Sequence, residues 1–160
     1  SFPDEVKRME SLGCELGNHT YSHVDLTTLA PEDMSAEIAG VDEDLVNLVG
    51  HGATVLRPPY GNINDSVRST VGTPMILWSI DTLDWETQDA SQITEAVMSQ
   101  VQDGSIILMH DIFSTSVDAA EIFIPKLIEE GYQLVTIHEL AKIKGTELTT
   151  GIAYGDFTGQ

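Results

Sequence analysis

The sequence predicts an α/β fold from three observations. Helix-like and strand-like segments alternate along the chain, the strand segments read as continuous apolar runs, and polar residues able to do chemistry follow directly after four of those runs. Continuous apolar strands belong to a parallel sheet covered by helices on both faces. Polar tips at the C-terminal ends of such strands are where α/β proteins bind ligands.

The elements follow in order. Val6, Met9 and Leu12 share a face and stop at Gly13, which predicts a short helix; Cys14-Glu-Leu-Gly then reads as a strand leading into Asn18. Pro31 opens a long amphipathic helix carrying Met34, Ile38, Val41, Leu45 and Leu48 on one face, ending near Gly50 and Gly52. Ala53 to Leu56 is the next strand. Further helices are expected at Ile63–Val71, Ile93–Val101, Val117–Glu130 and His138–Ile143, and further strands at Met75–Ile80, Ser105–Met109 and Tyr132–Val135. That is about five strands, whereas a closed α/β barrel has roughly eight. An open sheet and a barrel with strands absent upstream both satisfy the pattern. From Gly145 the chain turns Thr- and Gly-rich, so residues 1–144 read as one domain and residues 145–160 as a tail or linker with little structure of its own.

Composition narrows the partners. The chain has 160 residues, enough for one domain, and carries 26 acidic against 7 basic residues, a formal charge of −19. Nucleic acid and anionic membranes need Lys and Arg clusters, so both are excluded as expectations. No stretch reaches the length of a membrane span, and the start at Ser1 reads like a first helical turn and not like a signal peptide. Cys14, the single cysteine, permits no intrachain disulfide and reads as a small core residue.

Four motifs carry chemistry. His19-Thr-Tyr-Ser-His23 sets two imidazoles four residues apart, where one helical turn would aim both at a common point; that is a metal-ligand spacing, though it also occurs on solvated helix faces. Arg57-Pro-Pro-Tyr60-Gly61 is a turn stiffened by two prolines, able to aim a backbone N–H at a ligand or to serve as a rigid connection. Asp81-Thr-Leu-Asp84-Trp85 puts two carboxylates and an indole at a strand end, with capping of the next turn as the plain alternative. Leu108-Met-His110-Asp111 leaves a titratable histidine at another. All four are expected on one rim of the sheet. His51, in a Gly-flanked turn, and His138, in the last helix, fall outside the pattern and read as structural.

In order, these motifs resemble the last four of the five that mark the polysaccharide deacetylases, the family-four carbohydrate esterases with a nodulation-type deacetylase domain. The resemblance spans residues 11–143. It implies a distorted (β/α) barrel, here without its N-terminal strands. The family's first motif, typically Thr-Phe-Asp-Asp-Gly, supplies a base aspartate and a third metal ligand; no such segment occurs in this sequence. The chain is therefore expected to be a C-terminal part, inactive alone and completed by an N-terminal companion segment.

The resemblance also implies roles. His19 and His23 hold a divalent ion, usually zinc in the family with cobalt also able to serve. A water activated by that ion attacks an acetamide carbonyl, the Tyr60 N–H stabilises the oxyanion, His110 protonates the departing amine, and Asp84 orients His110. Arg57 pairs with the absent base, and Trp85 and Leu108 form the pocket for the acetyl methyl group. Asp81 shapes its loop and stays outside the catalytic set. The implied substrate is a peptidoglycan- or chitin-like N-acetylglucosamine polymer at the cell surface or outside it, with O-deacetylation of acetylated xylan as the alternative. A different class remains open: a non-catalytic module stacking carbohydrate on Trp78, Trp85 and Tyr60, or a structural fragment that completes another chain.

Overall fold

Eleven regular elements run through residues 2–159, which a computed structural model describes; the expected boundaries at Ser1 and Gln160 lie outside these described residues. In chain order they are α1 (Pro3–Ser11), α2 (Pro31–Val49), α3 (Asp65–Thr70), β1 (Met75–Ile76), β2 (Ile80–Asp81), α4 (Asp84–Thr87), α5 (Ala90–Met98), β3 (Ile107–Leu108), α6 (Ser114–Glu129), α7 (Ile137–Ile143) and β4 (Ala153–Tyr154). Single 3₁₀ turns occur at Leu26–Thr28 and Pro59–Gly61. The described residues fall into two compact units, one of residues 2–77 with 147–154, the other of residues 78–146 with 155–159.

In the first unit, Pro31 starts α2 with its fixed φ, and Gly50, at φ 91°, ends it in the left-handed conformation that a side chain resists. The parallel ladder runs from Asn18 through Leu56 to β1 and then β4, with Met75 opposite Ala153. Leu26, Met34, Leu56, Val67, Val71 and Met75 pack as its core. Burying each such side chain contributes about 1.5–3 kcal/mol. Residues 145–160, expected as a tail or linker, instead supply β4. Two ladder bonds explain it: the Met75 N–H donates to the Ile152 carbonyl and the Leu77 N–H to the Tyr154 carbonyl, and β1 gains an edge partner.

In the second unit β2 and β3 pair in parallel, Ile80 opposite Ile107 and Asp81 opposite Leu108. Ile93 and Val97 of α5 meet Ala119, Phe123 and Leu127 of α6 in the core. Phe157 is fully buried, and its N–H donates to the Gly104 carbonyl at 2.8 Å; a Cβ on Gly104 would stand 2.5 Å from the Phe157 backbone, so glycine is required there.

Several expectations change. The single strand expected at Met75–Ile80 is two short strands with different partners. Tyr132–Val135 forms no ladder among the described residues, and Leu134 and Val135 are exposed. Cys14 is exposed and not a core residue: it follows the Gly13 turn, where its N–H closes the end of α1 on Met9, and inward packing begins only at Leu16. Among the described residues no helix is long and apolar enough to cross a membrane.

Candidate active site

The first unit assembles His19, His23, Arg57 and Tyr60. The segment around the histidines is not a helical turn: Thr20 and His23 adopt φ of 67° and 56°, and these left-handed residues fold the loop so that the two rings lie 4.9 Å apart between centroids. Such conformations cost free energy in non-glycine residues and cluster at functional loops. Surrounding groups hold the loop in place. Buried Asn18 donates to the Ile38 carbonyl and Asp42 while accepting the Thr20 N–H, and Glu37 of α2 accepts both the N–H and the hydroxyl of Ser22, at 2.8 and 2.7 Å. The Glu37 carboxyl sits below its ordinary pKa, chiefly through the Ser22 hydroxyl.

His19 Nδ1 lies 2.6 Å from the Arg57 carbonyl. A carbonyl only accepts, so Nδ1 carries the proton and Nε2 keeps a lone pair, the tautomer a metal needs. Among the described residues no third His, Cys, Asp or Glu joins the pair in a group able to hold a metal. Two polar atoms nearby are left over: the Thr20 hydroxyl and Arg57 Nε are buried without a hydrogen-bond partner. Buried polar atoms are rarely orphaned, so both fit a site completed by further groups. Arg57 Nη2 donates to the Leu77 carbonyl, no carboxylate pairs with the guanidinium among the described residues, and burial lowers its pKa. The chemistry of the donor set fits a divalent ion, which the His19 tautomer and the His23 ring would hold.

Tyr60 has φ 61° inside its 3₁₀ turn, and its ring stands edge-on to His23 at 5.0 Å. The turn's own hydrogen bonds run from Gly61 and Asn62 to Pro58 and Pro59 and do not use the Tyr60 N–H. The ring is 64% exposed, leaving room for a ligand beside it.

The second unit brings Asp84 and His110 together. Asp84 has no exposed surface and accepts the His110 Nδ1–H at 2.8 Å and the His110 backbone N–H at 2.6 Å. Burial alone pushes the Asp84 carboxyl up, but hydrogen bonds from Ser116 and His110 outweigh it and hold the group below the usual carboxylate value. The proton on Nδ1 directs His110 to work through Nε2. The side chain is 34% exposed, so a ligand can reach it. Asp81 accepts the Leu83 N–H and bends the loop, as expected of a shaping residue, and Leu83 takes φ 52° immediately before Asp84. Trp85 follows with half of its surface exposed, while Leu108 is buried in β3 and its carbonyl accepts the Thr82 hydroxyl. His51 pairs with Glu10, and His138 lies in α7.

Sequence reasoning passed over Glu37, Asn18 and Ser116. Glu37 and Ser22 are fifteen residues apart and Ser116 and Asp84 thirty-two, so only the folded chain joins them. The one available signal was the unexplained polar residue at an otherwise apolar position in the first turn of α6.

Comparison with known proteins bears on the family and the fold. Residues 1–73 match the family model described as polysaccharide deacetylase. The chain is 41% identical over 143 residues to the peptidoglycan-N-acetylmuramic acid deacetylase PdaC of Bacillus subtilis, covering 89% of this chain and 31% of that protein. It is 36% identical over 156 residues to the peptidoglycan-N-acetylglucosamine deacetylase PgdA of Listeria monocytogenes, covering 98% and 33%. The chain thus spans about a third of the length of these relatives. The solved structure of PdaC superposes with a TM-score of 0.88 at 40% identity, over 90% of this chain and 71% of that one. A family 4 acetyl xylan esterase from Clostridium thermocellum, solved in complex with a cobalt ion, superposes with a TM-score of 0.91 at 27% identity, over 97% and 78%. The α/β class and the deacetylase-type fold are borne out. With motifs, fold and sequence identity in agreement, the chain belongs to the polysaccharide deacetylase family.

Proposed function

We propose that this chain serves in the metal-dependent hydrolysis of N-acetyl groups on a cell-wall polysaccharide, outside the cell or at its surface. The observation that carries the reading is the hydrogen bond from His19 Nδ1 to the Arg57 carbonyl, which selects the tautomer with its lone pair on Nε2. His19 and His23 would hold a divalent ion, zinc or cobalt, whose chemistry when bound is to polarise a carbonyl oxygen and acidify water.

This chain's own residues do the rest. His110, protonated on Nε2, donates a proton to the departing amine nitrogen, which otherwise leaves poorly. Asp84 holds the ring through its Nδ1–H. The Tyr60 N–H, unused within its turn, donates to the oxygen on which negative charge develops. Trp85 and Leu108 enclose the acetyl methyl group. Arg57 binds a carboxylate contributed from outside the described residues, which acts as the base and keeps its charge beside the guanidinium. The orphaned Nε supports that role.

Peptidoglycan is the favoured polymer because the two curated relatives compared are named as acting on its N-acetylmuramic acid and N-acetylglucosamine units. O-deacetylation of acetylated xylan is the second reading, favoured by the likeness to the xylan esterase. The test is acetate release by the full-length protein from peptidoglycan, from an N-acetylglucosamine oligomer and from acetylated xylan. Release from the first two supports the proposal; release from xylan alone replaces it with the second reading. Glycan binding without release, unaffected by chelators, assigns a binding module instead.

A further inference from the structure

A carboxylate with no exposed surface stays charged only when donors meet its oxygens. Asp84 has four such contacts among the described residues. Oδ1 accepts the Trp85 N–H at 3.0 Å and the His110 Nδ1–H at 2.8 Å, while Oδ2 accepts the His110 N–H at 2.6 Å and the Ser116 Oγ–H at 2.7 Å. Trp85 is the next residue along and His110 is the proposed acid itself. Ser116 is the one donor from α6, and it is 2% exposed.

The position of that hydroxyl is fixed by the start of α6, where the Ser116 N–H donates to the Phe113 carbonyl at 3.1 Å. With two donors on each oxygen, the carboxylate plane cannot rotate without breaking hydrogen bonds. Removing the Ser116 hydroxyl leaves Oδ2 one donor short in a place water does not reach, and the group is then free to tilt. Oδ1 would follow, and with it the ring it holds.

We infer that Ser116 is a positioning residue for the proposed reaction, locking the Asp84 carboxylate so that His110 presents Nε2 to the leaving group. The inference rests on the reading of His110 as the acid. Ser116 touches neither substrate nor the reacting atoms and acts wholly through Asp84.

The test uses the full-length protein and its Ser116→Ala, Ser116→Cys, Asp84→Asn, His110→Ala and Ser116→Ala/Asp84→Asn variants. Cysteine nearly preserves the volume and replaces a strong donor with a weak one, so it guards against a packing defect. Both Ser116 variants are expected to lower kcat about tenfold with KM within about twofold, since hydrogen bonds to charged groups are the stronger ones. In the Asp84→Asn background the Ser116 change should add little, because both act on one interaction. The low-field proton resonance of the His110–Asp84 hydrogen bond should move in Ser116→Ala while circular dichroism stays unchanged. A wild-type kcat and an unmoved resonance in a protein inactivated by His110→Ala would overturn the role of Ser116 alone. An undiminished effect in the Asp84→Asn background would assign Ser116 to packing. Full activity in His110→Ala would remove the acid reading and the inference with it.

Discussion

His19 donates its Nδ1–H to the main-chain carbonyl of Arg57 at 2.6 Å, across thirty-eight residues of sequence. The segment that carries the Pro-Pro turn therefore also sets the tautomer of the first histidine. Replacing His19 or His23 with alanine in the full-length protein should reduce zinc stoichiometry and abolish deacetylation, with circular dichroism close to wild type. Both side chains lie outside the buried apolar clusters, so the fold should survive. Elemental analysis of the purified variants checks this, and full metal occupancy in either would refute the ligand assignment.

The loop that carries the two histidines is held from α2. Glu37→Ala removes the acceptor of two Ser22 hydrogen bonds and frees a loop kept in two left-handed conformations. Supporting contacts of this kind are typically worth about 10–100-fold in metal affinity. Competition against a fluorescent zinc chelator should show a loss in that range without loss of folding, and unchanged affinity would mean that the loop holds its shape unaided.

Asp84→Asn should lower kcat by about 10²–10⁴-fold while leaving metal content alone, because an amide that offers its N–H to Nδ1 selects the wrong tautomer of His110. His110→Ala should act on the same parameter. Metal loss in either variant, measured alongside steady-state kinetics, would contradict the role of acid and point to a ligand.

The depressed pKa of Asp84 has a consequence for stability. A carboxylate whose folded pKa lies below its unfolded value of about 3.9 contributes stability that is fully present above that value and lost as pH falls through the folded one. The stability difference between wild type and Asp84→Asn should therefore shrink below pH of about 4. Denaturant titrations from neutral pH downward measure it, and a difference independent of pH would show that the contribution is not ionic.

Arg57→Gln should raise the acidic limb of the kcat/KM profile by about 1 pH unit or more, since a guanidinium beside a carboxylate lowers its pKa by about 1–3 units. The orphaned Arg57 Nε motivates this expectation. A profile that keeps its acidic limb would separate Arg57 from the base.

How far the sequence could be read depended on whether the signal was local. Leu56, Met75, Ile80 and Ile107 sit in apolar runs with a polar residue following soon after, so ladder and site edge were both legible. The loop around His19 was read as helical because a spacing of four fits a turn; its true shape needs the left-handed Thr20 and His23, which no spacing encodes. β4 was missed because Ala153 and Tyr154 are a strand only by virtue of β1, and the surrounding Thr and Gly mask them. The cluster around Asp84 was half legible: Asp84 and His110 stand in motifs, while the Ser116 hydroxyl completing it looks like any serine near a helix start.

The most direct measurement is acetate release from an N-acetylglucosamine polymer by the full-length protein, before and after exhaustive chelation with metal content verified. Release is expected to stop when the metal is gone and to return with zinc or cobalt. Undiminished release from verified metal-free protein would contradict it.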